Sequence, residues 1–139
     1  RDNMKALFLA IALLTFGSLA SAQTVPLTNC KMVSAAAQDC SVTLAWAASV
    51  TDATHSAPTN YVVEGRKLPE TIFAQVANVT ADILTVALPL ANDAGNTTYC
   101  YRLYAFNTAG NSGFTAESCG TTVALQVFGP TPPVNLILK

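Results

Sequence analysis

Apolar and polar residues alternate with a period of two in short runs along most of the chain, and turn-forming clusters separate these runs. In "SVTLAWAAS", residues 41–49, the side chains of Val42, Leu44 and Trp46 share one face. Such alternation predicts strands with one buried face, and beyond the first 22 residues no stretch shows a helical period. The chain is therefore expected to be all-β.

Seven strands are predicted, and turns fall between them every eight to twelve residues. The strands cover residues 27–33, 41–49, 61–67, 71–79, 82–90, 97–106 and 114–123. Many short strands at this spacing are typical of an antiparallel two-sheet sandwich in which each sheet buries one face. Residues 50–60 and 107–113 are predicted to be loops because they are rich in Ser, Thr, Asn, Gly and Pro.

The strand in "TYCYRLYAFNTAGNSG", residues 98–113, carries large side chains on both faces. Tyr99 and Leu103 fall on the face predicted to point inward, whereas Cys100, Tyr104 and Phe106 fall on the other. Cys100 is therefore expected to face away from the core. The two outward aromatic residues either form a binding patch or pack across strands to support the sheet.

The N-terminal residues have the pattern of a secretory signal peptide at residues 4–22. Met4 and Lys5 precede about eleven apolar residues, too few to span a bilayer, and Ala20-Ser21-Ala22 is typical of a cleavage site. Cleavage would leave Gln23 at the mature terminus. Residues 1–3 have no place in this pattern and are interpreted as a non-native or reading-frame remnant. A secreted, extracellular or periplasmic protein is expected, with one domain over residues 23–123.

The charge and the cysteine content argue against a nucleic-acid-binding protein and for a protein with disulfides. From Gln23 onward the chain has five basic and seven acidic residues, so no electrostatic signature of nucleic-acid binding is present. Four cysteines in an exported chain of this size predict two disulfides, and the periodicity leaves three pairings open. No pair has the C-x-x-C spacing of a zinc site.

No catalytic motif or cofactor motif is present in the sequence, so a non-enzyme with no cofactor and no metal is expected. His55 is the one histidine, and its position beside Asp52 in a polar loop favours a solvated residue over a catalytic base. "NDAGN", residues 92–96, lacks the spacing of a calcium loop and is predicted to be a turn. Asn78 and Asn96 each begin a glycosylation acceptor triplet.

Three segments, "SVTLAW", "NYVVEGRK" and "TYCYRLYAFNTAGNSG", together resemble the fibronectin type III module over residues 25–123. The resemblance implies a seven-stranded immunoglobulin-like sandwich whose core contains Trp46, Tyr61, Tyr99 and Leu103. It also implies that Tyr99 makes the corner hydrogen bond of that family. The signal segment and the simple sequence of residues 98–113 suggest a bacterial or phage-borne module. Two features depart from the family: the long stretch "PLANDAGNTT" before Tyr99 and the four cysteines.

The topology implied by the resemblance selects one disulfide pairing. The first two strands would form one hairpin and the last two another, so Cys30 would join Cys40, and Cys100 would join Cys119. Residues 124–139, "ALQVFGPTPPVNLILK", follow as a proline-rich linker with an apolar run. That run is either the first strand of a further module or a tail that folds back along a sheet edge.

The resemblance implies an exported, non-catalytic binding, adhesion or spacer module. An alternative is an accessory domain of a larger secreted enzyme that degrades polysaccharide or protein, and a third is a structural subunit that self-associates through residues 134–139. An extracellular protein or a glycan is the expected partner of a monomer or tandem array, with no nucleic acid and no membrane span after cleavage. The candidate binding surface comprises Asp52, His55, Tyr104, Phe106, Asn107 and Asn111.

Reduction of the two expected disulfides should lower the melting temperature without abolishing the fold. Each closes a short loop and stabilises by up to about 3 kcal/mol in the chain-entropy treatment. Calorimetry with and without reductant measures the shift, and an unchanged melting temperature after complete reduction would contradict it. Mass spectrometry of non-reduced peptides tests the pairing, which a Cys30–Cys119 peptide would overturn.

Overall fold

The structure, a computed structural model, describes residues 24–126. The predicted remnant, the signal segment and residues 127–139 of the C-terminal segment lie outside the described residues. The described part is all-β, and it contains no helix with the length and apolar character needed to cross a membrane.

Nine strands make up this part of the chain. They are β1 (Val25–Leu27), β2 (Cys30–Ser34), β3 (Ala37–Ala45), β4 (Asn60–Lys67), β5 (Ala74–Thr80), β6 (Thr85–Asp93), β7 (Thr98–Asn107), β8 (Gly110–Asn111) and β9 (Ser118–Thr122). The larger sheet has the order β1-β9-β7-β4-β5, with β8 paired to β7, and the smaller sheet has the order β2-β3-β6. The two sheets form the expected sandwich.

The strand count differs from the predicted seven for two reasons. The first predicted strand, 27–33, is two strands: β1 pairs in parallel with β9 in the larger sheet, and β2 pairs with β3 in the smaller one. The chain thus changes sheets between Leu27 and Cys30, which a continuous period of two does not reveal. In addition, the predicted loop 107–113 contains β8, which returns onto the end of β7.

The core lies between the sheets and is centred on aliphatic residues. Val42, Leu88 and Leu90 from the smaller sheet meet Val63 and Tyr101 from the larger one. The ring of Tyr101 lies against β4 at Gly65, where a Cβ atom would come within 2.9 Å of the ring carbon Cε1. Glycine is therefore required at this position for the two strands to pack.

The four core residues implied by the resemblance occupy different depths. Tyr61 is fully buried, whereas Trp46, Tyr99 and Leu103 are half-buried and pack against the edge of the core cluster. Trp46 follows the last residue of β3, where the sheets open towards the loops, and its ring meets that of Tyr61 edge to face at 5.7 Å.

The structure contains two disulfides, Cys30–Cys40 and Cys100–Cys119, which are the pairs implied by the resemblance. Each joins residues that are directly opposite on neighbouring antiparallel strands. The expectation that Cys100 is exposed is wrong, because only 1% of its surface is accessible. It does lie on the face of β7 opposite to Tyr101, but other side chains cover that face.

A second layer of side chains lies on the outer face of the larger sheet, where Cys100 is opposite Arg66 of β4 and Cys119 of β9. The guanidinium of Arg102 lies between the rings of Phe73 and Phe114, with its central carbon 4.1 Å and 3.8 Å from the ring centroids. Arg66 lies over Phe73 at 4.9 Å, and Tyr104 meets Phe114 edge to face at 5.3 Å. We call these five residues the cation–π ladder.

The ladder attaches two irregular segments to the sheet. Phe73 precedes β5 and Phe114 lies between β8 and β9, so neither ring belongs to a strand. An ion pair from Arg66 to Glu117 at 2.8 Å reinforces the attachment of the segment before β9, and a second one joins Arg102 on β7 to Glu64 on β4 at 2.8 Å. Rings above and below a guanidinium attract it through their negative faces, most strongly where water is displaced.

A buried carboxylate joins the two sheets at one end of the sandwich. Asp93, at the end of β6, is 1% exposed and accepts hydrogen bonds from Thr122 Oγ1 (2.7 Å), Gly95 N (2.7 Å), Tyr99 OH (2.9 Å) and Gln38 Nε2 (3.3 Å). These donors come from β3, β7, β9 and the turn after β6. We call this arrangement the Asp93 hub.

The hub replaces the corner hydrogen bond implied by the resemblance. In immunoglobulin-like folds a tyrosine of this kind bonds to the backbone a few residues upstream, whereas Tyr99 bonds to the Asp93 carboxylate six residues upstream. The long stretch before Tyr99 supplies that carboxylate in a tight turn, with Asn96 and Gly95 at positive φ.

The hub shifts the pKa values of its members. Burial would raise the pKa of Asp93, but the hydrogen bonds led by that from Thr122 outweigh burial and hold the pKa below its ordinary value. Burial, together with the hydrogen bond and the negative charge of Asp93, raises the pKa of Tyr99 above its usual range. Tyr101 lies outside the hub, and burial in the core raises the pKa of its hydroxyl to about 12.

Replacing the hub carboxylate should destabilise the fold. Asp93→Ala leaves four donors without their acceptor and should lower the free energy of unfolding by about 3 kcal/mol or more. Urea unfolding measures this loss. Glu70→Gln, at an exposed carboxylate, is the control and should change stability little. A variant as stable as the parent would show that water or rearranged partners satisfy the donors.

The same variant should alter the dependence of stability on pH. Because the pKa of Asp93 in the folded state lies below the ordinary value of 3.8, its charge stabilises the fold above pH 3.8, and this contribution is lost as the pH falls through the folded-state pKa. The loss of stability on acidification below about pH 4 should therefore be shallower in Asp93→Ala than in the parent. Parallel curves would contradict this role.

The ladder makes a separate prediction at Arg102. Arg102→Lys keeps the charge but loses the plane that stacks between two rings, so unfolding should require about 1 kcal/mol less free energy. Lys31→Arg, an exchange of the same two residue types at an exposed position on β2, is the control and should change stability little. Urea unfolding of both variants tests the prediction, which equal stability of Arg102→Lys and the parent would contradict.

Candidate functional site

The two predicted loops, 50–60 and 107–113, lie together at the end of the sandwich that includes Phe106 and Asn107. Residues from 49–58 and from 105–112 line an open pocket with a volume of about 350 Å³. His55, Phe106, Asn107 and Asn111, four of the six candidate binding residues, line this pocket. We call it the loop pocket.

Asn107 holds the two sides of the loop pocket together. Its Nδ2 donates to Ser56 Oγ at 2.8 Å and to the Ala57 carbonyl at 3.0 Å, and its Oδ1 accepts from Ala109 N at 2.9 Å. The amide thus fixes the turn of its own hairpin and bridges to the loop before β4. All three of its main hydrogen-bonding positions are used inside the protein, so Asn107 positions the pocket rather than contacting a ligand through its amide.

The hairpin side of the pocket is tighter than the predicted loop. Phe106 pairs with Asn111 and Asn107 with Gly110, which leaves a two-residue turn. Gly110 has a φ of 135°, which favours glycine. Ser112 continues the hairpin, because Ser112 N donates to the Ala105 carbonyl at 2.8 Å and Ser112 Oγ accepts from Ala105 N at 2.9 Å.

Asp52 organises the opposite loop. One of its carboxylate oxygens accepts from Thr54 N and from His55 N, both at 2.8 Å, and it lies 2.9 Å from His55 Nδ1. The hydrogen bond from Thr54 N, followed by that from the His55 side chain, lowers the pKa of Asp52 to about 2. Asp52 does not line the loop pocket but stands behind His55 and fixes its ring.

The Asp52–His55 pair lacks the third member of a hydrolytic triad. In a triad a serine hydroxyl is hydrogen-bonded to the histidine nitrogen that faces away from the carboxylate. Within residues 24–126, no hydroxyl is hydrogen-bonded to His55 Nε2, and the contacts of the ring are made through Nδ1. This geometry gives the loop an ordered imidazole and no activated nucleophile.

Phe106 and Tyr104, which share a strand face, have separate surroundings. Phe106 is 43% exposed and forms part of the loop pocket. Tyr104 lies outside the pocket, half-buried against Phe114 in the ladder and opposite Val62, which is buried. Of the two sequence interpretations, cross-strand packing describes Tyr104, whereas Phe106 remains available to a ligand.

The residues predicted from the sequence to form a binding surface omit two features of the structure. Ser49, Val50 and Pro58 also line the loop pocket, although single serines and an exposed valine carry no sequence signal. Cys100, Cys119 and Glu117 place potential metal-ligating atoms close together. They offer no thiolate, since the two sulfur atoms are bonded to each other.

Comparisons with known proteins identify a fold likeness and no family. No protein-family profile matches the chain, and no curated protein matches it significantly in sequence. Among solved structures, the chain is similar to the fn3 domain of human collagen alpha-1(XX), with a TM-score of 0.45 and 17% identity, over 84% of this chain and 100% of that one.

Further solved structures show similarities of the same kind. The sensor domain of the anti-sigma factor RsgI4 of Pseudobacteroides cellulosolvens has a TM-score of 0.41 and 13% identity, over 82% of this chain and 89% of that one. Titin kinase with its flanking domains has a TM-score of 0.42 and 22% identity, over 72% of this chain. The chain spans 18% of the titin chain and 16% of the twitchin kinase region of C. elegans.

Proposed function

We propose that this protein is an exported, non-catalytic binding module that recognises its partner through the loop pocket. The observation that carries the proposal is the Asn107 bridge, because it holds two loops from different parts of the chain in one shape. Binding sites are commonly built from loops on a rigid scaffold, and a pre-formed pocket spares the cost of ordering those loops on binding.

Export of the protein is supported by its cysteines. All four are paired, and disulfides persist in oxidising compartments such as the periplasm and the extracellular space. This agrees with the signal pattern at residues 4–22. The partner is then an extracellular protein or glycan, bound by a monomer or by one module of a tandem array.

An accessory domain of a secreted polysaccharide- or protein-degrading enzyme would use the same pocket to hold the enzyme on its substrate. A catalytic domain encoded beyond Lys139 would favour this alternative, and a stop codon there would favour the free module. Self-association through residues 134–139 is a third function. It predicts oligomers that depend on concentration and disappear when those residues are deleted, which light scattering measures.

Binding screens on the full chain test the proposal. The immobilised protein is presented with extracellular matrix proteins and with a glycan array, and each partner found is measured again with Asn107→Ala. We expect weaker binding because the bridge that shapes the pocket is lost. Asn78→Ala, at an exposed asparagine on β5, is the matched control and should bind as the parent does. A partner that binds both variants equally well would place recognition elsewhere.

Asn107→Ala should also loosen both loops without unfolding the sandwich. Loss of the contacts to Ser56 and Ala57 should raise amide hydrogen exchange in residues 50–58 and 108–112 by about fivefold, since a hydrogen bond contributes about 1 kcal/mol. Exchange in β3 and β7 should stay unchanged. Exchange that rises equally throughout would indicate a global loss of stability, and no change in either loop would remove the bridging role.

A further inference from the structure

We propose that the loop pocket binds a neutral sugar, as one or two rings of a glycan; this inference rests on the proposed function of the pocket. It follows from three properties of the described residues: the charge of the lining, its free hydrogen-bonding groups and its exposed apolar surface.

The lining of the loop pocket carries no acidic side chain, no lysine and no arginine. A phosphate, sulfate or carboxylate ligand would therefore find no permanent cation there. A cationic ligand would find Asp52 behind the wall, but its carboxylate already accepts hydrogen bonds from Thr54 and His55. The pocket is suited to a ligand without net charge.

Several neutral hydrogen-bonding groups remain available. The Asn111 amide and the Ser49 hydroxyl make no hydrogen bond within residues 24–126, and Asp52 engages the ring of His55 at Nδ1, which leaves Nε2 free. An amide both donates and accepts, and a hydroxyl does the same. Sugar hydroxyls also donate and accept at one atom, so they match this set better than groups that only donate or only accept.

The apolar part of the lining supplies a surface for the ring of a sugar. Phe106 is 43% exposed and Val50 80% exposed at the same pocket. One face of a pyranose ring presents C–H groups, and such a face can cover an aromatic ring while the hydroxyls at its edge reach polar neighbours. Covering the exposed ring removes apolar surface from water and favours binding.

The size of the pocket is suited to a small ligand. Its volume of about 350 Å³ is at the low end of small-molecule sites, which span about 300–1,000 Å³. A site of this size fits one or two sugar rings of a longer glycan.

An array of neutral oligosaccharides built from hexoses and N-acetylhexosamines, with sulfated and uronic-acid glycans beside them, tests the inference on the full chain. We expect binding to neutral members, and calorimetry with the best neutral trisaccharide gives its affinity. Phe106→Ala should weaken that binding by about tenfold or more, whereas Phe106→Tyr should retain it. Ile72→Ala, at a strongly exposed apolar residue in a different loop, is the matched control and should have no effect.

Asn111→Ala tests the polar side and should also weaken binding, with Gln75→Ala on β5 as the control for loss of an exposed amide. Circular dichroism confirms that each variant is folded. Binding restricted to charged glycans, or no binding to any member of the array, overturns the neutral-sugar inference. If a protein partner is then found whose binding is weaker to Phe106→Ala and Asn107→Ala, the proposed binding function of the pocket stands and only the sugar inference is overturned. Sugar binding that these variants leave unchanged would overturn both the sugar inference and the proposed function of the pocket.

Discussion

The carboxylate of Asp93 is the constraint on which the two-layer arrangement most depends. A negative charge with 1% of its residue exposed is tolerated only while donors surround it, and its donors come from strands of both sheets. Removing any one strand from this end leaves the charge less satisfied, so the hub favours the complete sandwich over partial ones. Gln38 extends this effect, because its Nε2 also donates to the Val123 carbonyl just after β9.

The opposite end of the sandwich is built on a different principle. There the loops are tied by single polar side chains, Asn107 and Asp52, whose contacts are exposed to solvent. Exposed hydrogen bonds contribute less than buried ones, but they are sufficient to select one loop conformation. The cation–π ladder lies between the two ends and fixes the segment that contains Phe114, which follows the pocket hairpin. Stability is thus concentrated away from the surface that is open to a partner.

The sequence predicted the features that depend on local alternation. The all-β class and the shared face of Val42, Leu44 and Trp46 follow from a period of two, whereas the core position of Tyr61 and the pairing of strands follow from the resemblance. The burial of Cys100 did not follow, because alternation assigns a face but not what covers it, and Phe73 and Phe114 lie in the predicted strands 71–79 and 114–123 but outside any strand of the structure. The hub was missed for a similar reason: "NDAGN" reads as a turn, and the partners Gln38 and Thr122 lie 55 and 29 residues away from Asp93.

The parallel pairing of β1 with β9 has a mechanical consequence. Val25 lies opposite Gly120 and Leu27 opposite Thr122, so the first and last strands of the described sandwich run side by side in the same direction. Tension that draws the chain outward from Val25 and from Thr122 acts along both strands in opposite senses. The hydrogen bonds between the two strands are then loaded in shear and must break at the same time, whereas peeling would break them one after another. Three residue pairs between β1 and β9 can in this way resist a pulling force that would separate the same strands if they were peeled apart.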